Sequence, residues 1–180
     1  MRSTKKLSFL LALGAVVALG SGADAAMVQK MDLPEVCARA DKIFRGTVLS
    51  AHEGTVQAGG GELPTVTYYI KVDESFQGEF ETKGDSSIAE IKMLGNAKPR
   101  NVDGARSFPA VRYLPQLEVG RDYLLMTSRP SAIGLSAPIG LGQGCFTISG
   151  EGGAEVATDG FGKTINYAEL VSAIQGALAQ

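Results

Sequence analysis

The stretch VTYYIKVD, residues 66–73, shows the clearest alternation of apolar and polar side chains in the sequence. Val66, Tyr68, Ile70 and Val72 would share one face of a strand, and the residues between them would share the other. This period of two is typical of a β-strand with one face in a core and the other towards solvent. The stretch therefore predicts a β-sheet protein.

Strand-like stretches lie on both sides of residues 66–73. They are predicted at residues 42–51, 87–94, 123–127, 144–149 and 154–158, with a ragged segment at 133–138 and a glycine-rich loop at 54–61. Gly46 interrupts the first of them, and a glycine inside a strand indicates a bend or close packing against a neighbour. Residues 123–127, YLLMT, are apolar on both faces, which is typical of a central strand.

A short helix is predicted before the strands and another after them. Asp32 is a good N-cap with Glu35 at the capping-box position, and Asn166 with Glu169 repeats this pattern near the end of the chain. The second helix would bury the apolar stripe of Leu170, Val171, Ile174 and Leu178. The sequence thus predicts a mainly β fold: an OB-like, closed or nearly closed barrel of five to six strands, with a short N-terminal helix and an amphipathic C-terminal helix.

The first 25 residues have the three parts of a secretory signal peptide. Arg2, Lys5 and Lys6 precede a mostly apolar run of 14 residues at positions 7–20, and small residues follow it. The run is shorter than the roughly 18 residues of a spanning helix, although an uncleaved anchor is the alternative interpretation. The cleavage rule favours Ala26 as the first mature residue. We predict a signal peptide at residues 1–25, one domain at residues 26–180, and export to the periplasm or the outside of the cell.

The charge balance argues against a nucleic-acid partner. The chain has 17 basic and 19 acidic residues. The signal peptide holds three of the basic residues and one of the acidic ones, which leaves 14 against 18 and a net charge of −4 in the mature part. A nucleic-acid-binding domain needs a basic face. No later stretch is long and apolar enough for a spanning helix, so we also predict a protein that is not membrane-spanning.

Cys37 and Cys145 are the two cysteines of the sequence, and both lie in the mature part. An even number of cysteines in an oxidising compartment favours a disulfide. A bridge between them would close a loop of about a hundred residues and stabilise the fold by about 4 kcal/mol. Two buried free thiols, or one reactive cysteine, are the alternatives.

Four segments of the chain together resemble a known family. They are CARADKIFRGTVLSA (37–51), TYYIKVDESFQGE (67–79), LEVGRDYLLMT (117–127) and GQGCFTI (142–148). Their order is similar to that of the OB-fold modules of netrin-like domains and tissue inhibitors of metalloproteinases, and to a group of uncharacterised exported bacterial proteins. The resemblance implies a five-stranded barrel, an expectation that agrees with the strand pattern.

The resemblance does not extend to the inhibitory chemistry of that family. Those inhibitors present a cysteine as the first mature residue, and its amine and carbonyl chelate the zinc of the protease. Ala26 is the predicted first residue here, and Cys37 lies well inside the chain. The resemblance therefore implies a fold and leaves the function open.

The sequence contains a single histidine, His52, which removes most metal sites and most designs for acid–base catalysis. A Cys145–His52 dyad needs only hydrogen-bond contact between the two side chains. However, Cys145 lies in an apolar strand and has a disulfide partner. The segment GLGQG, residues 140–144, lacks the Lys and Ser/Thr of a phosphate-binding loop and is predicted to be a turn. We therefore predict no catalytic residue, no metal site and no cofactor.

The long irregular stretch at residues 95–119 is the predicted interaction surface. A stretch of this length in a compact domain is usually functional or disordered, and a solvated variable loop is the alternative interpretation. The candidate surface consists of Arg100, Arg106, Phe108, Arg112, Tyr113 and the outward-facing Tyr69.

These observations favour an exported binding or interaction module of the cell envelope, or a secreted one. Its partner would be another envelope protein or a glycan. An inhibitor-like or accessory subunit of an envelope enzyme is the second hypothesis. A small Cys-dependent hydrolase is the third.

Overall fold

The computed structural model describes residues 29–96, 100–102, 105–107 and 114–180, so the predicted signal peptide lies outside the described residues. The helices are α1 (Leu33–Arg39) and α2 (Tyr167–Leu178). The strands are β1 (Lys42–Ala58), β2 (Gly61–Gln77), β3 (Glu81–Lys83), β4 (Ser86–Leu94), β5 (Arg100–Val102), β6 (Ala105–Ser107), β7 (Asp122–Thr127), β8 (Cys145–Ser149), β9 (Val156–Asp159) and β10 (Thr164–Asn166). The mainly β prediction is confirmed.

The first hairpin is longer than the sequence pattern predicts. Strands β1 and β2 have 17 residues each and stay paired as far as Ala58 and Gly61. The prediction of a loop at 54–61 is therefore wrong. A turn of two residues, Gly59 and Gly60, is sufficient because both have positive φ (59° and 82°), the geometry of the tight turns that match strand twist.

Eight strands of the described ranges form one antiparallel sheet in the order β10-β9-β8-β7-β1-β2-β4-β3. The order β7-β1-β2-β4 is that of a Greek key, in which a fourth strand returns beside the first. The long stretch at 95–119 belongs to this return connection, and its described part contains the β5–β6 hairpin instead of the irregular chain we predicted. The sheet is not closed into a barrel.

The sheet nevertheless curls towards the connection between β7 and β8. The amide of Ser136 donates to the carbonyl of Lys92 in β4 at 2.8 Å, and the amide of Ser128 donates to Ala137 O at 2.9 Å. Residues 128–138 thus lie between the end of β7 and the free side of β4. The ragged strand predicted at 133–138 reduces to a single bridge between Thr127 and Pro138.

Two groups of buried side chains form the core, one on each face of the sheet. We call the cluster on the face that α1 and α2 cover the helix-side cluster, and the cluster on the other face the concave-side cluster. Strand β7 contributes to both because its side chains alternate. Leu124 and Met126 belong to the helix-side cluster, and Tyr123 and Leu125 belong to the concave-side cluster. Helices α1 and α2 cover the helix side. The curl of the sheet and the last residues of the long connection, Leu117 included, enclose the concave side. The prediction of a central strand at 123–127 is confirmed.

Both predicted helix caps are present. The side chain of Asp32 accepts a hydrogen bond from the amide of Glu35 at 2.9 Å. The Asn166 side chain accepts from the amides of Ala168 and Glu169 at 2.9 and 3.4 Å. These bonds satisfy amides that have no partner within the helix, so they define where α1 and α2 begin.

Gly46 lies where the backbones of β1 and β2 approach closely. The register between the strands shifts at Arg45–Gly46. A Cβ atom at Gly46 would lie 2.2 Å from the carbonyl oxygen of Lys71, well inside van der Waals contact. The close packing that the sequence indicated at this glycine is confirmed, and its partner is backbone, which cannot move aside without disturbing the sheet.

We expect Gly46→Ala to lower the free energy of unfolding by about 1–3 kcal/mol, because the new methyl group overpacks the strand pair. Gly61→Ala is the matched control: it lies on the same hairpin, and a Cβ atom there would meet nothing within 4 Å beyond its chain neighbours. That change should stay within about 0.5 kcal/mol of the parent. Denaturant unfolding of the three proteins measures both effects, and equal stability of Gly46→Ala and the parent would contradict the close approach.

Candidate functional site

An apolar groove of about 430 Å³ lies on the helix side of the sheet. It is bounded by the residues before α1, by α1 and α2, by the turn at 140–144 and by the hairpin of β9 and β10. Its lining residues are Lys30, Met31, Leu33, Val36, Gln143, Phe146, Asp159, Phe161, Lys163, Ile165 and Leu170. Most of this surface is hydrocarbon, and the charged groups in this set are two lysines and one aspartate.

The apolar wall of the groove continues outward from the helix-side cluster. Val36 of α1 and Leu170 of α2 are buried in that cluster. Leu33 and Ile165 pack against the same cluster but are only partly buried. The cluster therefore has an open side, and a ligand there could contact aliphatic surface that the fold leaves accessible to water.

Gln143 holds the segment before α1 in place as one wall of the groove. Its Oε1 accepts a hydrogen bond from the amide of Met31 at 2.8 Å, and its Nε2 donates to the carbonyl of Gln29 at 2.9 Å. One side-chain amide thus satisfies a donor and an acceptor of the same backbone segment. This contact joins residues more than a hundred positions apart in the sequence.

Two glycines bring the β9–β10 turn into position beside the groove. Gly142 lies in the turn before β8 and Gly160 in the turn between β9 and β10, and the amide of Gly160 donates to Gly142 O at 3.0 Å. A Cβ atom at Gly160 would lie 2.6 Å from the Cα atom of Gly142. The predicted turn at 140–144 is confirmed, and its glycines permit this approach of two backbones.

The mouth of the groove carries more positive than negative charge. Lys30 and Lys163 line it and are exposed, and within the described residues neither forms an ion pair. The carboxylate of Asp159 accepts hydrogen bonds from the amides of Phe161 and Lys163 at 2.9 and 2.8 Å. Its charge is therefore already engaged by two backbone donors within the turn.

The sequence interpretation missed this groove. Its polar residues lie in turns, at the end of β9 or in the segment before α1, and none of them belongs to a periodic pattern or a recognised motif. The predicted glycine-rich turn at 140–144 was the feature of the sequence that came closest to indicating the groove, because such a turn often permits a close approach of another backbone segment. The partner of that approach is 18 residues further along the chain and could not be identified from spacing.

The structure describes only part of the predicted interaction surface, which therefore stays a prediction. Tyr69 lies in β2 with its ring 5.6 Å from that of His52 and 5.3 Å from Lys83 Nζ. The backbones of Arg100 and Arg106 lie in the β5–β6 hairpin, opposite Ser107 and Asn101 respectively. Phe108, Arg112 and Tyr113 lie outside the described residues.

The predicted disulfide is not formed, and both cysteines are free. Cys37 belongs to the helix-side cluster and Cys145 to the concave-side cluster, so the sheet separates them. The reason is the alternation of side chains along β8. Phe146 points to the helix side and joins the cluster of Cys37, and its neighbour Cys145 consequently points away.

The Cys145–His52 dyad that the hydrolase hypothesis would need is also not formed. Cys145 pairs with Leu125, which pairs with Phe44 of β1, and His52 lies eight residues further along that strand. Eight residues correspond to roughly 26 Å of extended strand. Burial raises the pKa of the Cys145 thiol to about 12, which keeps it protonated at neutral pH.

A charged cluster joins β1, β7 and the start of α2 on the helix side. Arg45 lies 2.7 Å from Asp122 and 2.6 Å from Glu155, and its guanidinium stacks on the ring of Tyr167 at 4.5 Å. The hydroxyl of Tyr167 donates to Glu74 at 2.6 Å. Hydrogen bonding to Arg45 lowers the pKa of Glu155, whereas burial raises the pKa of Asp122. The cluster links the strands to α2, which forms one wall of the groove.

No group of His, Cys, Asp or Glu in the described ranges has the arrangement of a metal site. The helices of those ranges are all too short or too polar to cross a membrane. No family model, curated protein or solved structure matches this chain. The groove and its charges must therefore be interpreted from their own chemistry.

We expect both thiols to be unreactive in the folded protein and free after unfolding, since Cys37 is 1% and Cys145 4% exposed. Treatment of the folded protein with iodoacetamide should leave the mass of the protein unchanged, as measured by mass spectrometry. Treatment in guanidinium without reductant should then add two carbamidomethyl groups. A protein that takes up the label only after reduction would contain the disulfide and would contradict this arrangement.

We expect Glu155→Gln to destabilise the protein by about 1 kcal/mol at pH 7, because it removes a charge-assisted hydrogen bond to Arg45. A carboxylate whose pKa is lowered on folding stabilises the fold above its unfolded pKa, near 4.5, and this contribution is lost as the pH falls through the folded value. The difference from the parent should therefore shrink at pH 3.

The matched control for this prediction is Glu118→Gln. Glu118 also pairs with an arginine, Arg121, at 2.8 Å, but its side chain is 66% exposed against 24% for Glu155. The control should change stability by less than about 0.5 kcal/mol at either pH. Thermal unfolding of the parent and of both variants at pH 7 and pH 3 measures these differences in stability. An equal loss for Glu155→Gln at pH 7 and pH 3 would show that packing, not charge, causes the effect.

Proposed function

We propose that this protein is an exported binding module and that its groove holds a small, mainly apolar molecule. The observation that carries the proposal is the groove itself: a concave surface of about 430 Å³ that continues from the core and remains open. Pockets for small molecules measure about 300–1,000 Å³ and combine apolar walls with a few polar groups. The groove has this size and this composition.

The contacts around the groove support a binding role because they fix the segments that line it. Gln143 fixes Gln29 and Met31 on one side through two hydrogen bonds. The approach of Gly142 and Gly160 fixes the β9–β10 turn on the other. A site whose walls are already ordered in the free protein avoids part of the entropic cost of ordering them when the ligand binds.

Export remains part of the proposal, supported by the three-part N-terminus. We further propose that the sheet is a variant of the OB architecture. The Greek-key order β7-β1-β2-β4 and the hydrogen bond from Ser136 to Lys92 support it, because an OB-fold is a partly open Greek-key barrel. In such a barrel, the groove lies outside the strands, beneath the two helices.

A binding role is favoured over the hydrolase hypothesis by the state of Cys145. A nucleophilic cysteine needs a thiolate, and thiolates occur beside cations or helix N-termini in accessible positions. Cys145 is buried among apolar side chains, and its pKa is raised. The groove, in contrast, is accessible.

The purified protein should bind a neutral polarity-sensitive dye such as Nile red in the groove, with 1-dodecanol as a competitor. Ile165→Asp places a charge in the apolar wall and should weaken binding at least about tenfold, since an unpaired carboxylate opposes burial of an apolar ligand. Leu33→Asp tests the opposite wall, in case the first variant does not fold. Fluorescence titration measures each affinity.

The matched control is Leu49→Asp, which alters a leucine that is 50% exposed on β1 and does not line the groove. It should bind the dye as the parent does. Circular dichroism establishes that each variant is folded before its affinity is compared. A parent protein that binds no dye, or a control that loses as much affinity as the groove variants, would overturn the proposal.

A further inference from the structure

We infer that the ligand of the groove is a medium-chain fatty acid, whose hydrocarbon chain lies along the apolar wall and whose carboxylate is bound by Lys30 and Lys163. This inference rests on the proposed function and adds the charge and the length of the ligand. It is carried by the placement of two exposed lysines in the lining of a mainly apolar groove.

The two lysines come from different parts of the fold. Lys30 belongs to the segment that Gln143 clamps, directly before Met31. Lys163 belongs to the turn that the Gly142–Gly160 contact holds. The two contacts that shape the groove therefore also hold the two backbone segments that carry these lysines.

The remaining charged group of the lining does not cancel this charge. The Oδ1 atom of Asp159 accepts from two backbone amides, which are donors that stabilise a carboxylate in its own turn. Two ammonium groups against one engaged carboxylate leave the lining with a net positive charge. An anionic head group is complementary to this mouth, whereas a cationic one would be repelled by both lysines.

The volume of the groove indicates the approximate size of the ligand. At about 30 Å³ for each water-sized group, 430 Å³ accommodates about 14 non-hydrogen atoms. This corresponds to a fatty acid of about twelve carbons, the carboxyl carbon included. A single unbranched chain suits a groove whose lining is largely aliphatic and aromatic.

Three ligands with the same chain and different head groups test the inference: dodecanoate, 1-dodecanol and dodecyltrimethylammonium. Each is titrated below its micellar concentration against the dye-loaded protein. Dodecanoate should bind about three- to tenfold more tightly than 1-dodecanol at low salt, as expected for two exposed ion pairs. Its advantage should shrink as salt is added, and the cation should bind most weakly.

The double variant Lys30→Gln/Lys163→Gln should remove the advantage of dodecanoate and leave the affinity for 1-dodecanol unchanged. Lys83→Gln/Lys92→Gln is the matched control, because it removes two lysines that do not line the groove. The control should keep the parent's preference for dodecanoate. Both double variants alter the net charge equally, so a general effect of charge would affect them alike.

The possible outcomes separate this inference from the proposed function. Equal affinities for dodecanoate and 1-dodecanol, or a preference that survives Lys30→Gln/Lys163→Gln, would overturn the inference while the groove remained a site for apolar ligands. A protein that binds neither the dye nor any of the three ligands would overturn the proposed function as well. Loss of the preference in the groove variant alone would support the inference.

Discussion

The pairing of β1 with β7 is the constraint on which the rest of the structure depends. The two strands are in register from Lys42–Thr127 to Thr47–Asp122, and both bury side chains on the two faces of the sheet. A strand pair that is apolar on both faces must be covered on both. Helices α1 and α2 cover one face, and the curl of the sheet, together with residues 114–118, covers the other. Gly46 belongs to this pair, and its missing side chain allows β2 to approach on the opposite edge.

This double coverage explains why the groove occurs where it does. The helices are short, with 7 and 12 residues, and they leave part of the helix-side cluster open beyond Leu33 and Ile165. Turns close the remaining space without filling it. Gln143 and the Gly142–Gly160 contact fix those turns by hydrogen bonds and backbone packing, so the opening is bounded by specific contacts. The same contacts determine where Lys30 and Lys163 lie, which connects the shape of the groove to its charge.

The alternation of side chains along β8 also determines the chemistry of the cysteines. Phe146 faces α1 and Cys145 faces the concave side, so the thiol of Cys145 lies in a different core from that of Cys37. A shift of one residue would exchange these positions. The Arg45 cluster has a comparable origin. Strands β1 and β7, the residue before β9 and the start of α2 bring together Arg45, Asp122, Glu155 and Tyr167 from distant parts of the sequence.

Local patterns determined the elements of this fold. The alternation at 66–73, the caps Asp32 and Asn166 and the two-faced strand at 123–127 are all decided by residues two to four positions apart, and the structure contains each of them. The length of the first hairpin escaped prediction, because pairing across the strands extended them through residues whose own composition is typical of a loop. Only the tertiary structure decided the cysteine positions, the open edge of the sheet and the groove. Those features depend on contacts such as that between Gln143 and Met31, which are 112 residues apart, and no local period records which distant residues will meet.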